Sequence, residues 1–313
     1  MITDEIKKEI KKVIIGKDDV ISKVLLAILA RGHVLLEDVP GVGKTSLALA
    51  FSKALGLDCK RIQFTADTMP SDVVGFSVFE KNSSRFVYKP GAVMTNLLLA
   101  DEINRTSSKT QSALLEAMEE GKVTVDGVTH DLPVPFTTLA TENPIGSAGT
   151  QLLPVSQLDR FMLKLSMGYP DRASQVEIMR DRHHANPIDA VKPVCTAADL
   201  SKLIEDVQSI FVSDAVYEYI AELTERTRVH PMIKFGVSPR GALAVCRAAK
   251  AHACLEQRDY VNADDVVYVF SDVCSHRIVL GSKARIRDCT EQSVIAEIIL
   301  GCKKPGIREF SRR

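Results

Sequence analysis

Residues 38–45 read Asp38-Val39-Pro40-Gly41-Val42-Gly43-Lys44-Thr45, or DVPGVGKT. The octet fits the phosphate-loop pattern G-x-x-x-x-G-K-[ST] everywhere except its first position, where aspartate replaces glycine. Before it, residues 33–37 (HVLLE) form a short β-favouring run; after it, residues 46–54 (SLALAFSKA) are rich in helix formers. Strand, glycine turn and helix are the setting in which such a loop holds phosphate. Successive backbone N–H groups there face a concavity at a helix N-terminus. The expected nucleotide contacts are Pro40, Gly41, Val42, Gly43, Lys44, Thr45 and Ser46, with Lys44 on the β- and γ-phosphates and the Thr45 hydroxyl on magnesium.

The glycines that most need to lack a side chain are those near the lysine, where backbone approaches phosphate. Gly41 and Gly43 meet that need. Asp38 only leaves the strand, and fits if its carboxylate points away from the triphosphate. An ordinary Pro-Gly turn followed by a lysine is the competing account of the octet taken alone. A second stretch tilts the balance. Residues 96–102 (NLLLADE) form an apolar run with no polar side chain from Leu97 to Ala100, as in a strand buried on both faces of a parallel sheet. Ligands of such sheets bind at the carboxyl ends of the strands. There Asp101 is placed to hold hydrated magnesium and Glu102 to polarise an attacking water.

Composition bounds the rest. The chain has 313 residues, which suggests two domains. Lys+Arg and Asp+Glu both number 40, so no net positive charge draws the protein to nucleic acid. The longest uncharged apolar run, 24–30, is far short of a membrane span, and the start MITDEIKKEIKK lacks the apolar core of a signal peptide. A cytoplasmic protein is expected. Seven scattered cysteines without a C-x-x-C argue against a disulfide framework or a zinc site. His183 and His184 are adjacent, and helix neighbours do not face the same way, so a solvated helix end is expected there rather than a metal pair.

Five β-type runs, 33–37, 61–64, 96–100, 136–140 and 161–165, alternate with helical segments. The clearest helix is 107–120, with a Ser/Thr start and Gly121 at its end. The alternation predicts a three-layer α/β domain with a mostly parallel five-stranded sheet over residues 1–170. Two hairpins interrupt it: one near 65–91 around the turn 81–84, and one near 121–133 around Asp126-Gly127. From residue 171 to 313 helical periodicity dominates, at 174–184, 197–208, 213–228, 239–257, 262–279 and 291–300. The second domain is therefore expected to be a smaller, all-helical lid.

Further on come ATENP at 140–144, QLDRF at 157–161 and SPRGAL at 238–243. With LLEDVPGVGKT, LADEINR, KTQSALLEAMEE and VTVDG, this ordered set resembles the AAA+ ATPases, and within them the MoxR family, from about residue 13 to 280. The resemblance implies ATP/ADP and Mg2+ as cofactors and assigns further roles. Asn143 would be sensor 1, Arg160 an arginine finger offered to a neighbouring subunit, and Arg240 sensor 2 acting on the same subunit's phosphates. Ile15 and Gly16 would line the adenine side. It also implies a hexameric ring acting as a chaperone on protein clients, with a von Willebrand A domain protein as a possible partner and both hairpins directed at the central pore.

Two other classes share parts of the pattern. A P-loop small-molecule kinase has the loop and the magnesium aspartate but normally takes no arginine in trans. A nucleotide-gated switch without turnover could lose Glu102, Asn143 or Arg160, and all three are present. A DNA motor is a poor fit, because the pre-sensor hairpin KVTVDGVTHDLP carries one lysine and two aspartates.

Overall fold

The computed structural model describes residues 2–39, 41–82, 84–143, 153–181 and 186–306. The chain gathers into two compact units. The first comprises Met1–Val24, His33–Leu153 and Leu165–Ser201; the second comprises Leu25–Gly32, Pro154–Lys164 and Lys202–Arg313. Thus the segment that carries Arg160 belongs with the helical unit, although it precedes residue 170. His183, His184, Pro40 and Pro144 lie outside the described residues.

The strands in chain order are β1 (Val34–Glu37), β2 (Cys59–Gln63), β3 (Gly75–Glu80), β4 (Arg85–Pro90), β5 (Leu97–Asp101), β6 (Lys122–Val125), β7 (Val128–Asp131), β8 (Thr137–Glu142) and β9 (Leu163–Leu165). Five of them form one sheet in the order β2-β5-β8-β1-β9, and β2 with β5, β5 with β8, and β8 with β1 pair in parallel. β8 is buried throughout and β5 from Leu97 to Ala100, as strands covered on both faces must be. Register decides where chemistry can gather. Gln63 pairs with Asp101, Ala100 with Ala140, and Glu37 with Glu142, so the carboxyl ends of four strands finish level.

Helix Ser108–Glu120 starts and stops where its sequence says it should. The Ser107 hydroxyl accepts from the Thr110 amide at 3.3 Å, and Gly121, at φ 64°, ends the helix in the left-handed region. The two predicted hairpins are β3–β4 and β6–β7. Asp126 and Gly127 have φ of 50° and 79°, as a two-residue turn matching strand twist requires. Tyr88 of β4 stacks on His130 of β7 with ring centroids 3.9 Å apart, so the hairpins touch each other.

In the second unit, helix Asp214–Val229 buries Val216, Tyr219, Ile220 and Leu223 on one stripe. Helix Pro239–Leu255 buries Ala244, Val245, Ala248 and Ala249, small residues that let helix Ala263–Cys274 approach closely. The expectation of an all-helical lid needs one amendment. Residues 262–279 are not a single helix: the α-helix stops at Cys274, and β11 (Val279–Leu280) pairs antiparallel with β10 (Ile233–Phe235). The pairing joins residues more than forty positions apart, which a local periodicity window does not see.

Candidate functional site

The octet leaves β1 and enters helix Lys44–Leu55. Gly41 and Gly43 have φ of 87° and 100°, and a Cβ on either would meet nothing within 4 Å. These glycines are therefore required by backbone handedness rather than by crowding. Gly41, Gly43, Lys44, Thr45 and Ser46 line a cavity of about 380 Å³ together with Asp101, Glu102 and Asn143. Eight of the sequence-predicted residues thus line a single concavity at the carboxyl edge of the sheet. Val42 belongs to the same loop without lining the cavity, and Pro40 is outside the described residues.

Asp38 has a role of its own. Its buried carboxylate accepts from the Ser166 hydroxyl at 2.8 Å, the Met167 amide at 2.6 Å and the Gly168 amide at 3.0 Å. Both oxygens are thereby taken up by the segment that follows β9. The residue that departs from the motif ties the loop's first turn to that segment, and its charge is directed there rather than into the cavity. Its backbone carbonyl accepts from the Lys44 ammonium at 2.9 Å, which holds the lysine folded back on its own loop. Partial burial draws the Lys44 pKa down, against the pull of the Asp38, Asp101, Glu102 and Glu142 carboxylates.

The acidic pair is held from several sides. Asp101 accepts from the Thr141 hydroxyl at 2.6 Å through Oδ1 and from Arg61 at 2.7 Å through Oδ2, and Arg61 also donates to Gln63 at 2.7 Å. Thr141 in turn accepts from the Glu102 amide at 2.8 Å. Glu102 has φ 56° and ψ 49°, an uncommon region for a residue with a side chain, and its carboxylate accepts from Arg105 at 2.7 Å. Backbone strain of this sort is concentrated at functional sites. The Asn143 carbonyl accepts from Asn104 at 3.1 Å.

Sequence reasoning missed Arg61, Gln63, Arg105, Thr141 and the Ser166–Gly168 donors. Arg105 and Thr141 stand within motif blocks, but the others reach the site only through strand register or a contact distant in sequence. Ile15 and Gly16 do not line the cavity. Gly16 has φ 70°, and a Cβ there would lie 2.2 Å from the Ser174 hydroxyl oxygen, so its glycine answers a packing need. Arg160 and Arg240 belong to the second unit. Arg240 lines a different cavity of about 580 Å³ there, with Arg31, Arg247 and Lys250.

The cavity's donor set suits a magnesium nucleotide. Loop backbone at a helix start and an ammonium suit phosphate, and a hydroxyl and a carboxylate lining the same cavity offer the oxygen ligands magnesium prefers. A parallel sheet with this loop, followed by a helical unit, defines a AAA+ ATPase with its lid. The profile of the "ATPase family associated with various cellular activities (AAA)" matches residues 33–163, and that of the AAA lid domain matches residues 225–298.

The chain belongs to the MoxR family of these ATPases. It is 38% identical to chaperone MoxR1 of Mycobacterium tuberculosis over 96% of this chain and 81% of that one. It is 47% identical to protein YeaC of Bacillus subtilis over 97% of this chain and 95% of that one. A crystal structure of a Cytophaga hutchinsonii protein assigned as an ATPase superposes with a TM-score of 0.91 at 36% identity, covering 97% of this chain and 94% of the other. Among the described residues no helix is long and apolar enough to cross a membrane.

Proposed function

We propose that this protein hydrolyses Mg-ATP and uses the cycle, as a hexameric ring, to remodel or assemble protein complexes in the cytoplasm. The observation that carries the reading is the meeting of Lys44, Thr45, Asp101, Glu102 and Asn143 around one cavity. Family membership favours it over a small-molecule kinase or a switch without turnover. Residues 1–170 would serve as the nucleotide-binding domain and residues 171–313 as the lid, save that 154–164 group with the lid unit and 171–201 with the nucleotide-binding one. A von Willebrand A domain protein is the partner class the family suggests.

The loop amides from Gly41 to Ser46 bind the phosphate oxygens, and on binding Lys44 exchanges the Asp38 carbonyl for the β- and γ-phosphates. Thr45 and Asp101 are the residues that would hold magnesium. Magnesium held there would supply positive charge to offset that of the phosphates. Glu102, oriented by Arg105 and by the Thr141 contact to its amide, takes the proton of the attacking water. Asn143 orients that water, and Arg160 from a neighbouring subunit stabilises charge on the transferred group. Arg240 couples phosphate state to the lid.

The test is a pair of variants assayed for both binding and turnover. Glu102→Gln is expected to bind Mg-ATP like the parent and lose roughly 10² to 10⁴ in rate, the usual contribution of a positioned base. Lys44→Ala is expected to lose binding. Hydrolysis by Glu102→Gln at the parent's rate would remove the assigned base.

A further inference from the structure

Arg277 is a guanidinium buried at 5% exposure, and no sequence motif singled it out. Burial lowers its pKa below the usual arginine value, against the pull of Cys274 and Asp159. A buried guanidinium is retained only when its donors are met. Here they are met mainly by the short segment that carries Arg160. Nε donates to the Asp159 carboxylate at 2.7 Å, and Nη2 to the carbonyls of Asp159 at 3.0 Å and Phe161 at 2.7 Å. Nη1 donates to the Met162 carbonyl at 3.1 Å and to the Val273 carbonyl. One side chain therefore holds the backbone on both sides of Arg160.

The same side chain reaches the helix that bears Arg240. A Cβ at Gly241 would lie 3.0 Å from Arg277 Cδ, so the arginine stem runs beneath the first turn of helix Pro239–Leu255. Asp159 closes the link by accepting from the Ser238 hydroxyl, the N-cap of that helix, at 3.4 Å. His276 adds a contact to the Phe161 carbonyl at 3.0 Å. All of these residues lie in the second unit.

We infer that Arg277 is a positioning residue: with Asp159 it fixes the backbone on both sides of Arg160, so that this arginine is presented in one orientation to the neighbouring subunit. The inference rests on the proposed reading of Arg160 as a finger acting in trans. Lysine at 277 keeps a cation for Asp159 but loses the planar fork that spans several carbonyls. The Arg160 segment is then free to shift, and a displacement of about 1 Å costs on the order of 100-fold in rate.

The experiment is a matrix of mixed oligomers under conditions of subunit exchange, using ATP turnover. Binding of a fluorescent ATP analogue and cooperative unfolding check that each variant is folded. Arg277→Lys is expected to bind the analogue like the parent and to hydrolyse poorly alone. Mixed with Glu102→Gln it regains activity, because the Glu102→Gln subunit lends an intact, well-placed Arg160 to a site whose base is intact. Mixed with Arg160→Ala it stays inactive, since both lack the same function. A merely structural defect would not sort in this way.

Recovery with both partners, or with neither while Arg160→Ala plus Glu102→Gln recovers, overturns the role of Arg277. Failure of the Arg160→Ala plus Glu102→Gln mixture itself overturns the finger reading, and this inference with it. Should Arg277→Lys not fold, Asp159→Asn replaces it in the same matrix. That variant removes the charged acceptor at a more exposed position, and the same two mixtures decide the question.

Discussion

Replacing Asp38 by glycine restores the phosphate-loop pattern and is expected to destabilise the protein. The buried carboxylate accepts three hydrogen bonds, from the Ser166 hydroxyl and the amides of Met167 and Gly168. Each bond to a charged group contributes about 1.5 to 3 kcal/mol before the cost of burying the carboxylate is set against it. Leaving a buried donor without a partner costs about 1 to 3 kcal/mol. Glycine's backbone freedom adds about 0.5 to 1 kcal/mol. With a melting shift of roughly 2 to 4 °C per kcal/mol, one such donor alone lowers the midpoint by about 2 to 12 °C. Asp38→Asn, which keeps one acceptor oxygen, should lose about 1 to 2 kcal/mol. Differential scanning calorimetry of the parent, Asp38→Asn and Asp38→Gly gives the ranking. Nucleotide affinity should stay comparable, since the carbonyl that holds Lys44 survives and the carboxylate is turned toward 166–168. Asp38→Gly melting within about 0.5 kcal/mol of the parent, the range of an ordinary surface change, would refute the tether.

Two further predictions concern folding. Gly16→Ala should cost more stability than Gly41→Ala, because both positions have positive φ but only the first places a Cβ 2.2 Å from another atom. Urea midpoints compare them, and the opposite order would show that Ser174 moves aside at no cost. Asp265, fully buried, contributes to acid unfolding. Burial works to raise its pKa, but hydrogen bonds from His252, Arg258 and the Asn262 amide outweigh that and hold it below the usual carboxylate value. Its stabilisation is complete above the unfolded value near about 3.9 and is lost as pH falls through the lower folded value. Asp265→Asn should therefore be less stable at pH 7 and lose less than the parent between about pH 4 and pH 2. Parallel pH profiles for the two proteins would count against this assignment.

Much of the site was legible in the sequence because its parts are local. A glycine turn that needs positive φ at Gly41 and Gly43, a lysine and hydroxyl at a helix start, and two acids at the end of a buried strand each declare themselves within a few residues. Strand placement was legible for the same reason, and Asp126-Gly127 marked a hairpin that the backbone bears out. The order of those blocks along the chain pointed to the family.

What the sequence by itself determined, then, was the glycine loop, the helix start and the acidic strand end, and on which element each stands. Only the tertiary structure decided what holds them. Strand register set Arg61 and Thr141 against the two oxygens of Asp101. A contact across some 130 residues turned Asp38 from an exception to a motif into a tether. Burial of Arg277 gathered the segment around Arg160 into the helical unit. These partners lie far apart in the chain, and their pairing follows from donors and charges that must be satisfied once buried, a requirement that exists only after the chain has closed on itself.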